Sequence, residues 1–315
     1  MNWLRINVCV ALAAAIGLAV LRIGIVPGSL VLPAMACVTL AGVWLVYTRY
    51  RPDERVRTAC SQVILLIVFS HVAALLSYVV VATDAPLVDV TLVKMDAWLH
   101  FDWPAWHAFV RAHRPLSLAL ALAYASGMLQ IAFVVVFLSL TGRLVEVRVF
   151  STAMVLSCLV TIAVSGIVPA AGAFVHFGGD PAKLADLTHF DALRQHRLAV
   201  VDLGQLQGLI SIPSYHAVLS VLLIHAARGS RRLARVFLPL NLLVIVSAIS
   251  EGGHYLVDIL AGIGVAVLAI LVARRLLGVV PETTMATRHV IARSSGAVPP
   301  IAPSEQGVPH VQIHG

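Results

Sequence analysis

The sequence predicts an all-α, polytopic membrane helical bundle of about eight spans, and three observations predict it. Of the 315 residues, 60% are hydrophobic and only 12% are charged, where a soluble domain carries about 25%. Apolar runs close to 20 residues recur along the chain, the length that crosses about 30 Å of hydrocarbon at 1.5 Å per residue. Arginines gather in alternate connections between those runs, the asymmetry that sets topology in helical membrane proteins. The alternating ten-residue strands of a membrane β-barrel are not seen. The net charge of +7 comes from these arginine clusters, so it calls for no nucleic-acid partner.

The apolar runs fall near 4–21, 29–48, 60–82, 116–139, 149–169, 213–227, 236–251 and 254–273. The first has one flanking arginine and no small-residue cleavage site, so it is expected to stay as an uncleaved span. The sixth and seventh are short, and must be flanked by wetter protein or extend into the headgroups. Arg5, the 49–57 cluster, Arg143, Arg148, the 228–235 cluster, Arg274 and Arg275 fall on one side. Arg22, Lys94, Arg111, Arg114, Lys183, Arg194 and Arg197 fall on the other, mostly in long loops. The positive-inside rule then puts both termini in the cytoplasm of a cell that carries this chain in its inner membrane. Cys9, Cys37, Cys60 and Cys158 have no paired spacing, so neither a disulfide nor a metal site is expected, and no cofactor is implied.

Two outer loops are long. The first, 83–115, has Trp98, Trp103 and Trp106 with Phe101 and Phe109, which suits a helix lying in the membrane interface. It serves either as a plain aromatic anchor or as a lid over a site. The second, 170–211, opens on the small residues Ala170–Ala173 and later carries Arg194 and Arg197, the strongest anion-binding candidates on the outer face. Residues 276–315 hold scattered Pro, Ser and Gly without apolar period, and read as a disordered cytoplasmic tail.

The chemistry-bearing stretch is Ser211–Asp258. His254 and Asp258 are four apart at a helix start, which puts them on one face. Asp258 can hold one imidazole nitrogen and leave the other as a lone-pair donor, fit for a general base or a nucleophile. Gly252 and Gly253 allow close backbone approach, and the helix N-terminus favours anions. A His–Asp pair satisfied inside a bundle would look the same. His216 weighs toward chemistry, because it opens another helix at the same membrane face, after Pro213 and Ser214. Ser214 is either an N-cap or a hydroxyl facing an anion. A nucleophile with a separate proton donor is a minimal set for transfer at phosphorus. His71 reads as an interhelical hydrogen-bonding group, and Gln130 and Ser126 as helix-packing polar groups. Glu251 stands next to the glycine pair, to cap the helix end or tune His254.

Pro213-Ser214-Tyr215-His216, and Ser247-Ala248 followed after five residues by His254 and after three more by Asp258, resemble two of the three motifs of the type 2 phosphatidic acid phosphatase superfamily. The resemblance covers about 85–275, and implies a six-helix phosphatase-like core there, preceded by added spans in 1–84. Ala248 replaces the arginine of the third motif, and no Lys-x6-Arg-Pro occurs. Gly252-Gly253-His254-Tyr255-Leu256-Val257-Asp258 is similar to the branch that includes inositol phosphorylceramide synthase. The resemblance implies that His254 attacks phosphorus, Asp258 orients it and His216 protonates the leaving oxygen. Arg194 or Arg197 is then expected to supply the missing positive charge, with Ser214 and Tyr255 beside the phosphate. The implied substrate is a membrane lipid, with water or an alcohol as acceptor. The alternative is a non-catalytic lipid or phosphate binder, or a transporter, that kept the site.

Overall fold

A computed structural model describes residues 3–83, 85–178 and 188–279. Lys183 and nearly all of the expected tail lie outside the described residues. In chain order the helices are α1 (Trp3–Leu21), α2 (Val31–Arg49), α3 (Glu54–Val81), α4 (Asp89–Trp98), α5 (Trp103–Ala112), α6 (Arg114–Ala125) and α7 (Gly127–Leu140). They continue with α8 (Leu144–Ile167), α9 (Ala173–Phe177), α10 (Thr188–Arg194), α11 (Tyr215–Ala227), α12 (Arg231–Ser250) and α13 (Leu256–Leu276). The strands β1 (Gly24–Ile25) and β2 (Val200–Val201) pair in parallel, tying the turn after α1 to the segment that precedes α11.

The architecture is the all-α polytopic bundle that the hydropathy predicts. Among the described residues, α1, α2, α3, α8, α12 and α13 are long and apolar enough to cross a membrane. α6 and α7, bent by 45° at Ser126, have together the length and apolar composition of one further span, and the Ser126 hydroxyl donates to Ala123 O at the bend. The sixth expected span is α11, which has 13 residues and covers only about 20 Å. It is short because the chain descends into the bundle before the helix starts: Tyr215 donates its hydroxyl to Met154 O, in the middle of α8. The seventh run is longer than its apolar part. Ser230 caps α12 by accepting from Leu233 N at 3.5 Å, so the arginines that follow it are helical.

α11 is central, packing on α7, α8, α12 and α13, while α3 packs on α1, α2, α7 and α8. The apolar side chains that the bundle leaves uncovered follow helical spacing, as with Leu4, Val8, Leu12, Ile16 and Val20 of α1, and form the lipid-facing stripe. Interior faces instead carry small polar residues, such as Ser151, Ser157, Thr161 and Ser165 of α8, which let helices approach closely. Gln130 accepts from Asn241 Nδ2 at 2.7 Å and donates to Ser126 Oγ, joining α7 to α12. His71 bonds within its own helix, to Ile67 O, and not between helices as expected. The arginine-rich turns meet at one end: Arg148 pairs with Glu54 at 3.5 Å, and Arg143 donates to Gly229 O.

The first long loop is two helices rather than one interfacial helix. The chain breaks at His100, whose φ is 58°, and Asp102 caps α5 by accepting from Ala105 N. Trp103 is buried and donates Nε1 to Ile249 O at 3.1 Å, with His107 and Phe177 stacked on it. An indole that finds a carbonyl partner and ring neighbours inside the fold has no need of the interface. Trp98 stays 80% exposed.

Candidate active site

The site is built around the N-terminus of α13. A helix start leaves backbone N–H groups without intrahelical partners. Here Tyr255 N donates to Asp258 Oδ2 at 3.1 Å, and Leu256 N and Val257 N donate to Asp96 Oδ2 and Oδ1, each at 2.9 Å. The expected anion-binding role of this helix start is therefore already filled, by two carboxylates of the protein. Burial pushes the Asp96 carboxyl up, the two N–H bonds hold it down, and the nearby Asp258 charge pushes it up further. Asp96→Ala would leave two donors without acceptors and is expected to cost about 1–3 kcal/mol. Thermal unfolding in detergent checks this, with Asp96→Asn, which keeps one acceptor oxygen, falling between the two.

Before α13 the chain makes a tight connection. Gly253 has φ 64°, and a Cβ there would lie 2.2 Å from the Phe174 ring. Its carbonyl accepts from Ala173 N at 2.7 Å. Asp89 holds the facing segment, accepting from Ala171 N, Gly172 N and the Tyr255 hydroxyl at 2.9–3.0 Å. In this frame His254 is buried, with Nδ1 3.5 Å from Asp258 Oδ2. The same Asp258 oxygen accepts from Ser211 Oγ at 2.8 Å. Asp258 thus meets the imidazole at ion-pair distance while Ser211 and Tyr255 N fix its carboxylate, and Nε2 is the nitrogen left away from it.

α11 brings in the second histidine. Ser214 is its N-cap, accepting from Ala217 N, and Ser214 N donates to Asp258 O at 3.0 Å. That backbone bond joins the two motif segments directly. His216 stacks on Tyr124 of α6, ring centroids 4.3 Å apart, and faces His254 with centroids 5.9 Å apart. Both histidines open on one cavity of about 670 Å³ with Glu251 and Tyr124 beside them.

Of the residues expected from sequence, His216 and His254 line this cavity, and Asp258 stands directly behind His254. Ser214 is fully buried as a cap, and Tyr255 is turned to Asp89. Arg194 donates Nη1 to Thr83 O at 2.8 Å, and neither it nor Arg197 is on the cavity wall. Among the described residues no lysine or arginine lines the cavity. Tyr124, Asp89, Asp96 and Ser211 are the site-building residues that sequence reasoning missed. Asp89 and Asp96 lie in the 83–115 loop with Lys94 between them, so nothing in the sequence marks either acid as part of the site.

The family model of the PAP2 superfamily matches residues 90–272. Comparison with curated proteins finds no match, and comparison with solved structures finds none either. Because the match runs from α4 through most of α13, takes in more than half of the chain and contains both histidine-bearing segments, this protein belongs to the PAP2 superfamily.

Proposed function

We propose that this chain is an integral membrane lipid phosphatase or phosphotransferase that works through a phospho-histidine on His254. The observation that carries the proposal is the pair His216 and His254, with ring centroids 5.9 Å apart, lining one cavity inside a PAP2-superfamily bundle. The Nε2 lone pair of His254 attacks phosphorus, and a P–N bond forms as the bond from phosphorus to the leaving oxygen breaks. His216 gives its proton to that oxygen. The Asp258 carboxylate stabilises the imidazolium that results. Water or an alcohol then loses its proton to His216 and attacks phosphorus, releasing His254. The Gly-Gly-His-Tyr segment favours the transferase branch similar to inositol phosphorylceramide synthase. The arginine distribution favours an outer-leaflet site with both termini cytoplasmic.

The test is a panel of lipid phosphates and phospholipids, assayed with purified protein with and without alcohol acceptors. Phosphoryl release or transfer supports the reading, and its absence across the panel sinks it. A second reading, lipid binding without turnover, is favoured by the lack of a cation on the described cavity wall, since developing phosphoryl charge needs oriented positive charge or donors. Vanadate separates the two, because a phosphoryl-transfer site is inhibited by it and a binder is not. Arg194→Ala examines where the positive charge comes from. Turnover lost with folding intact assigns that charge to the 188–197 segment, and wild-type turnover removes the assignment.

A further inference from the structure

We infer that the cavity leading away from the histidines along α3 is the slot for one alkyl chain of the lipid substrate, with α3 setting its width. This rests on the function proposed above for the headgroup chemistry. α3 lies outside the 90–272 family match, yet it gives the cavity Phe69, Ala73 and Ser77 at four-residue spacing, with Ser70 and Ala74 beside them. That spacing is one helix face, and from Phe69 to Ser77 it rises about 12 Å. Met154 and Ile162 of α8 line the cavity as well, with Ile162 packed in one cluster with Phe69 and Ala73.

The charge on the wall is distributed unevenly. Among the described lining residues the charged side chain is Glu251, which neighbours the histidines in sequence and space. A phosphoryl headgroup therefore has its reaction partners at the histidines, and the wall that α3 and α8 supply is uncharged: apolar Phe69, Ala73, Met154 and Ile162 with neutral polar groups such as Ser77 and Thr161 between them. An uncharged hydrocarbon chain is the occupant that this division fits. The volume of about 670 Å³ lies in the range of sites that enclose a ligand.

α3 is held in place as a wall. Residues 205–210 close the cavity, and this segment is bolted to α3 by Tyr78. The Tyr78 hydroxyl accepts from Gln207 N at 3.0 Å and bonds His189 Nδ1 at 2.8 Å, while His189 N donates to Gln207 Oε1 at 2.9 Å. The β1–β2 pairing adds a second tie between the N-terminal spans and the same segment.

The experiment uses full-length protein in detergent and phosphatidic acid with a diazirine at the end of one acyl chain. After irradiation, mass spectrometry maps the adducts. The expected adducts fall on Phe69–Ser77 and Met154–Ile162, in wild type and in His254→Ala alike. Ala73→Phe, which fills the slot, is expected to lower this labelling about ten-fold, and Ala74→Leu serves if that variant does not fold. Adducts confined to the outward stripe of α1 or to α2, or labelling unchanged by a folded filling variant, overturns the slot. Labelling of α3 in a protein that turns over no lipid upholds the slot and sinks the catalytic reading, so the two failures are distinct.

Discussion

His254→Ala is expected to remove lipid phosphoryl transfer down to background, a loss on the order of 10⁶, the scale found when a covalent nucleophile is deleted. His216→Ala is expected to lose less, about 10²–10⁴, because it removes proton transfer and leaves the nucleophile intact. The two roles separate by leaving group. An aryl phosphate departs without help from an acid, so His216→Ala should regain most of its first-step rate on such a substrate, while His254→Ala should regain none. A radiolabelled, acid-labile phosphoenzyme is expected in wild type and in His216→Ala, and not in His254→Ala. Equal losses in both variants with either leaving group would sink the division of roles. Asp258→Asn tests the third member. With Nδ1 of His254 3.5 Å from the carboxylate, the asparagine keeps the shape and removes the charge that stabilises the imidazolium. Its loss should lie between those of the two histidine variants.

Much of this arrangement was legible in the sequence, because the signals behind it are local. Apolar length predicts the spans, and the short run at 213–227 predicts a helix that cannot cross alone. Spacing by four places His254 and Asp258 on one face. What escaped is the set of contacts made between distant segments. Asp96 reaches the α13 backbone across 160 residues of sequence, and Asp89 reaches the Tyr255 hydroxyl across 166. In sequence they look like solvated loop acids, and only the fold turns them into caps. Trp103 and Trp98 are alike as sequence, and burial separates them: the first is 4% exposed and the second 80%.

Arg194 illustrates the same limit from the other side. As an outer-loop arginine it is, with Arg197, the expected replacement for the missing motif arginine. Its position is governed instead by α10, which packs on α3 and directs the guanidinium to the Thr83 carbonyl. The cavity wall drawn from α3 was equally illegible, since Phe69, Ala73 and Ser77 read as ordinary span residues. A helix face shows its period in sequence, but which neighbour it meets depends on the packing of the whole bundle.

Gly262→Ala is the second large effect expected, and it acts without touching either histidine. Gly262 is four residues beyond Asp258, on the same face of α13. A Cβ there would lie 2.4 Å from Ser214 O and 3.1 Å from Ala217 Cβ. The first of those atoms is backbone, so α11 and α13 must move apart. The contact sits beside the Ser214 N to Asp258 O bond of 3.0 Å, which sets the spacing of the two histidine-bearing segments. Overpacking of this kind costs about 1–3 kcal/mol, and a displacement near 1 Å at a reacting pair costs about 10²-fold in rate. Gly264→Ala is the control. It is in the same helix, with nothing within 4 Å of its Cβ position, so it should be neutral or stabilising by up to about 1 kcal/mol, the helix-propensity gain of alanine over glycine. Intrinsic propensity favours alanine equally at both positions, so opposite outcomes isolate the interhelical contact. Full turnover in a folded Gly262→Ala protein would show that the α11–α13 approach does not set the distance between the histidines.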